Sequence, residues 1–195
     1  MSETFPQSLF HQTLREHAEV VQQLASQQEV ILHVARKMLA CLRAGGKILW
    51  CGNGGSAADS QHMAAEFVGR FTRERSGFAS LALTTDTSIL TALGNDYGFE
   101  TVFSRQVEAL CRPEDVLVGL STSGNSENVC RALERAREIG AYTVALTRAG
   151  ECKMRELADT CVGVHSDSTA RIQECHIIIG HLISDYVESE WVRDE

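Results

Sequence analysis

Apolar positions follow two regimes along the chain, and the change falls near residue 47. Before it, Leu9, Phe10, Leu14, Val20, Val21 and Leu24 recur at roughly helical spacing. Val30, Ile31, Val34, Ala35, Met38, Leu39 and Leu42 form a second, broader stripe. Residues 8–43 therefore predict two amphipathic helices, the second stopped by Ala44-Gly45-Gly46. Such helices either pack on their own domain or bundle with another subunit, and the pattern leaves both open.

From Lys47 onward, short apolar runs alternate with helical segments. The runs are Ile48–Cys51, Leu81–Thr84, Val116–Leu120, Thr143–Leu146 and Cys161–Val164. Most are continuously apolar, as strands covered on both faces must be. Segments 57–71, 87–93, 101–111, 127–139, 153–158 and 170–190 carry helical composition. The alternation predicts an α/β fold: a doubly wound, five-stranded parallel sheet with right-handed crossovers and helices on both faces. The chain divides into an N-terminal helical segment, 1–46, and an α/β sandwich, 47–195, within one domain. No repeat, low-complexity tract or interdomain linker interrupts it.

Composition narrows this picture. A domain of 195 residues buries about 70% of its unfolded surface and needs neither disulfides nor a metal simply to fold. The net charge of −8 argues against non-specific binding to nucleic acid or an anionic membrane, but leaves room for an anionic small molecule at one local site. The seven cysteines are odd in number, include no C-x-x-C, and several lie in apolar runs, which points to a reducing cytoplasm rather than a disulfide scaffold. The N-terminus, Met1-Ser2-Glu3-Thr4, is acidic and polar, unlike a signal peptide. No apolar run approaches the ~20 residues that span a bilayer.

Candidate chemistry concentrates in two places. Cys51-Gly52-Asn53-Gly54-Gly55-Ser56 reads as a strand end, a glycine turn and a helix start, with Ser56 as the expected cap. On the helix that follows, His62 and Glu66 are four residues apart and share a face, either as an exposed pair or as a base beside a metal-capable imidazole. In the last helical segment Gln173, Ile177 and His181 recur at four-residue spacing, so Gln173 and His181 share a face and His176 points elsewhere. Two His, one Glu and one Gln can make a four-ligand site for a divalent ion such as zinc, although Gln is an uncommon ligand. Between these, Ser121-Thr122-Ser123-Gly124-Asn125-Ser126 links a buried strand to a helix start, where backbone N–H groups and the helix dipole can hold a phosphate without Lys or Arg. The loop is neither a Walker loop nor G-x-G-x-x-G, so it does not imply a nucleotide. Gly94-Asn95-Asp96-Tyr97-Gly98 reads as a turn in which Asn95 and Asp96 can meet sugar hydroxyls.

Taken in order, these motifs, with Phe103-Ser104-Arg105 and Arg171-Ile172-Gln173-Glu174-x-His176, resemble the phosphoheptose isomerases of the sugar-isomerase (SIS) fold over residues 8–190. The resemblance implies a cytoplasmic enzyme converting sedoheptulose 7-phosphate to D-glycero-D-manno-heptose 7-phosphate, the first step towards ADP-heptose and lipopolysaccharide core. It implies a homotetramer with sites at subunit interfaces and the N-terminal helices in the assembly. By position, Glu66 corresponds to the general base and His181 to the general acid. His62, Glu66, Gln173 and His181 correspond to zinc ligands in members that bind it. Substrate contacts carry over to Asn53, Gly54, Gly55, Glu66, Asn95, Asp96, Ser121, Thr122, Ser123, Ser126 and Gln173. His181 cannot ligate and donate a proton at one instant, so either the two roles alternate or zinc mainly orders the site.

Two departures stand out. Many relatives carry glycines after Thr147, where this chain has Arg148-Ala149-Gly150-Glu151-Cys152. Some have an acidic residue where Ala170 stands, so a sugar contact from that position does not transfer. The competing readings are a non-catalytic SIS protein that binds the replication initiator, an SIS sensor of a phosphosugar, and an isomerase of another phosphosugar. The first lacks the catalytic Glu and the last-helix His, both present here. The second usually carries a DNA-binding domain, for which this acidic chain has no room.

Overall fold

The structure, a computed structural model, describes residues 7–193. The polar N-terminal tetrapeptide and the rest of residues 1–6 lie outside it, as do 194 and 195. Five strands form one sheet: β1 Ile48–Gly52, β2 Ser80–Ala82, β3 Val116–Leu120, β4 Tyr142–Arg148 and β5 Thr160–Val164. All pair in parallel, in the order β2-β1-β3-β4-β5. Side chains alternate between two cores, as the pleat requires. Ile48, Trp50, Val116, Val118, Leu120, Val144 and Leu146 face one; Leu49, Cys51, Leu117 and Ala145 face the other.

The first core is roofed by α1 Gln7–Gln23, α2 Gln28–Arg43, α3 Gly55–Val68 and α8 Thr169–Arg193. The second is roofed by α4 Thr87–Asp96, α5 Ser104–Leu110, α6 Glu127–Ile139 and α7 Lys153–Leu157. Trp50 is fully buried in the first core, and its indole N–H donates to Ser80 Oγ at 2.9 Å, so the largest core residue leaves no polar atom unpaired. The two N-terminal helices differ. Helix α2 buries Ile31, Val34, Ala35, Met38, Leu39, Cys41 and Leu42 in its own domain. Helix α1 buries no residue and leaves Leu9 (45%), Phe10 (53%) and Leu14 (52%) exposed.

Local expectations needed correction at several points. The second strand is shorter and starts one residue earlier than the run Leu81–Thr84. The stretch 94–98 is not a turn throughout. Helix α4 continues to Asp96, because Asp86 caps it by accepting from Ile89 N at 2.9 Å and Leu90 and Leu93 pack on the core beneath. Turn-forming composition is outweighed by that packing. Ser56 is not the cap of α3: Gly54, at φ 55°, takes the N-cap position, and Ser56 lies buried in the first turn. The helix also stops at Val68, short of Phe71. After β4, Gly150 adopts φ +97° and Cys152 is buried, which sets the course of the 148–152 loop. All seven cysteines are free, and six are buried. Among the described residues, no helix is long and apolar enough to cross a membrane.

Candidate active site

Chain order reverses between β1 and β3: from β1 the chain moves outward to β2, then crosses back to β3. Ligands of open α/β sheets bind beyond the strand carboxyl ends at this point. Both predicted loops start there, after Gly52 and after Leu120, which are register partners. The Asn53 and Asn128 amides tie the loops together through two hydrogen bonds, each 2.9 Å. In the second loop, Ser121 Oγ lies 2.8 Å from Ser126 Oγ and 3.3 Å from Ser123 Oγ. Ser126 is the N-cap of α6, yet its hydroxyl does not cap that helix. Three hydroxyls therefore gather at a helix N-terminus, where the peptide dipoles favour an anion. Thr122 is half-buried in the same loop.

The second cluster forms where α3 meets α8. A Cβ on Gly180 would lie 2.0 Å from Met63 Sδ, so the glycine lets the helices approach with Met63 in its present rotamer. Met63 follows His62 and Gly180 precedes His181, so the close crossing delivers both imidazoles to one place. Their rings are edge-on, with centroids 5.1 Å apart. His62 Nε2 lies 3.0 Å from Glu66 Oε1. His62, Glu66 and His181 each offer a ligand atom within 4.8 Å of the others. Burial, together with the neighbouring His62, pushes the His181 pKa down, and Glu66 only partly opposes this.

Gln173 lies two turns earlier on α8, against the start of α3: its Nε2 would be 2.4 Å from a Cβ at Gly55. The glycine turn thus provides room for a side chain from the far end of the sequence. Asn95 and Asp96 are exposed at the end of α4 and bonded to each other at 2.8 Å, and Asp96 is not among the ligand atoms that converge with His62, Glu66 and His181. His176 is buried away from the group, as its spacing predicts.

Sequence reasoning missed several residues near these clusters. Asn128 gave no signal, because a helical Asn is unremarkable until its partner is known. Asp59 lies on α3 just ahead of His62; burial raises its pKa to about 6, His62 opposes, and one carboxylate oxygen has no hydrogen-bond partner. Glu188 follows His181 by seven residues, a spacing that places both on one face of α8 and could have drawn notice. It is fully buried.

The donor set suits a divalent ion. Two imidazoles and a carboxylate, with ligand atoms within 4.8 Å of one another, are donors of the kind zinc takes. A carboxylate and imidazoles can move protons, and a hydroxyl-lined helix start can hold an anion such as a phosphate.

Comparison with known proteins agrees. Residues 12–148 match the family described as SIS domain. A phosphoheptose isomerase of Akkermansia muciniphila is 59% identical over 167 residues, 86% of this chain and 88% of the relative. One of Aquifex aeolicus is 55% identical over 177 residues, 89% and 92% of the two chains. Among solved structures, a phosphoheptose isomerase of Neisseria gonorrhoeae superposes with TM-score 0.89 at 46% identity, covering 94% of this chain and 98% of its own. The chain belongs to the SIS-domain family and, within it, to the phosphoheptose isomerases, which makes it a sugar-phosphate isomerase.

Proposed function

We propose that this enzyme interconverts sedoheptulose 7-phosphate and D-glycero-D-manno-heptose 7-phosphate through an enediol, in the cytoplasm, as the first step towards ADP-heptose and lipopolysaccharide core. One observation carries the reading: Glu66 and His181, remote in sequence, come within ligand distance of each other where α3 meets α8.

The phosphate rests on the hydroxyls of Ser121, Ser123 and Ser126 and the N-terminal turn of α6, with Thr122 beside them. Asn53, Gly54, Gly55 and Gln173 contact the sugar chain nearer the reacting carbons. The Glu66 carboxylate removes a proton from C1 of the ketose, and the C1–H electron pair becomes the C1–C2 double bond. His181 gives a proton to the C2 oxygen, completing the enediol. His181, now without that proton, takes the one on the C1 hydroxyl as Glu66 returns its proton to C2; the C1 aldehyde forms and both groups are reset. Such acid–base pairs typically contribute about 10²–10⁴-fold. His62, Glu66, His181 and Gln173 would hold zinc, which when bound would supply a Lewis acid; ligation by His181 would alternate with the proton transfers above, or the ion would mainly order the site. Asn95 and Asp96 complete the sugar contacts, in a homotetramer whose sites lie between chains. The exposed apolar positions of α1 suit that assembly.

The test is direct. Purified protein is incubated with sedoheptulose 7-phosphate, with and without a chelator, and the aldoheptose phosphate is measured. Absence of product with zinc restored would sink the reading.

A further inference from the structure

Beyond α3, residues 69–76 turn back across α8, and this strap is held by one carboxylate. Glu188 is fully buried. It accepts hydrogen bonds from three successive backbone N–H groups, Phe71 at 2.9 Å, Thr72 at 2.6 Å and Arg73 at 2.7 Å, and from Thr72 Oγ1 at 3.2 Å. Arg75 Nε lies 3.2 Å from Glu188 Oε1, the oxygen that accepts from Phe71, and both side chains are shielded from solvent. The Arg75 guanidinium stacks 3.7 Å from the Phe78 ring centroid.

Two arms leave this anchor, and each ends on a residue of the reacting pair. Arg75 Nη2 donates to the Glu66 carbonyl at 3.0 Å, while Nη1 donates to Gly69 O at 3.1 Å and Ser76 O at 3.0 Å. Phe71, whose N–H Glu188 fixes, lays its ring on the His181 imidazole, with centroids 5.3 Å apart at 31°. A buried ion pair is poor value as a source of stability, since apolar residues of similar size often do as well. What it supplies here is a fixed conformation over several consecutive residues.

We propose that Glu188 and Arg75 are positioning residues: they lock the strap so that it sets Glu66 on α3 and His181 on α8 relative to each other. A cap for the α3 carbonyls alone would need Arg75 but not the Phe71–His181 contact. The inference rests on the acid–base roles given above to Glu66 and His181.

Glu188→Gln in the full-length enzyme is the first test. The carboxamide keeps the shape, removes the charge and turns an NH2 towards backbone donors. The expected result is a folded protein with kcat reduced about tenfold or more, because small misplacements of reacting groups are costly. KM should stay within about threefold, since the phosphate loop is untouched. Glu190→Gln, at a half-buried neighbour whose carboxylate pairs with Arg193 at 2.6 Å and makes no bond to the strap, should behave as wild type. If Glu188→Gln does not fold, Phe71→Leu decides, because it cuts only the arm to His181; the same split of kcat from KM is expected. In the folded variant, the His181 ring-proton resonance should also lose the shift imposed by Phe71. A smaller fall in kcat, or a loss expressed in KM instead, would overturn the proposal. If the wild-type enzyme turns over no sedoheptulose 7-phosphate, the functional reading fails separately. The resonance alone then judges the strap: unmoved by Glu188→Gln, it overturns it.

Discussion

Gly180→Ala probes the crossing that brings the site together. The added methyl would sit 2.0 Å from Met63 Sδ, 3.0 Å from its Cγ and 3.3 Å from its Cε. Carbon–sulfur and carbon–carbon contacts settle near 3.5–4.0 Å, so helix α8 must withdraw from α3 by about 1.5 Å or Met63 must leave its rotamer. Two terms oppose each other in stability. Alanine gains about 1 kcal/mol over glycine in a helix interior. Overpacking a tight core loses about 1–3 kcal/mol. The net destabilisation is about 0–2 kcal/mol, and the protein remains folded. Activity should suffer far more, because His181 is the next residue and moves with the helix. A displacement near 1 Å costs on the order of 10²-fold in rate. The assay is steady-state turnover of sedoheptulose 7-phosphate beside a thermal melt. A double-mutant cycle with Met63→Ala isolates the contact: the alanine at 63 vacates the space, so the pair should be less impaired than the sum of the singles. Full activity in Gly180→Ala at unchanged stability would refute the claim that this approach sets the His62–His181 geometry.

Further outcomes are expected. Glu66→Gln should keep the melting temperature and phosphate binding while kcat falls about 10²–10⁴-fold; equal turnover would remove Glu66 as the base. Ser126→Ala deletes a hydroxyl of the phosphate loop and should raise KM about tenfold, as loss of a hydrogen bond to a charged group implies, with kcat little changed. Chelation should abolish turnover and leave circular dichroism intact, with recovery on adding zinc, since a core of this size folds without metal. His176 is buried with both ring nitrogens unpartnered; burial lowers its pKa to about 4, and the nearby Thr147 carbonyl only partly offsets this. Its folded pKa therefore lies below the unfolded value, so stability is full above about pH 6.5 and declines as pH falls towards 4, by up to about 3 kcal/mol. Denaturant titrations of His176→Leu should show a flatter pH dependence across that window.

Local pattern carried much of this molecule, but unevenly. Most of the five apolar runs are continuous because their strands are covered on both faces, β2 at the sheet edge being partly exposed, and the alternation of runs with helical segments implied a parallel sheet. Strand ends and helix starts were less legible. Ser56 has the chemistry of a cap, yet Gly54 reaches a backbone angle that serine resists, and the helix begins earlier. Asn95 and Asp96 have turn composition, yet Leu90 and Leu93 bury their helix against the second core.

The four-residue spacings determined by themselves that His62 and Glu66 share a helix face and that Gln173 and His181 share another. Whether the two faces meet is a matter of helix crossing, which depends on the contact between Gly180 and Met63, 117 positions apart in the sequence. The Glu188 anchor has the same character: a single acidic residue in a helix carries no message until three backbone N–H groups from a distant strap converge on it. Periodicity is a property of neighbours along the chain, so residues declare their faces early. Proximity between faces arises only when close packing chooses which surfaces touch.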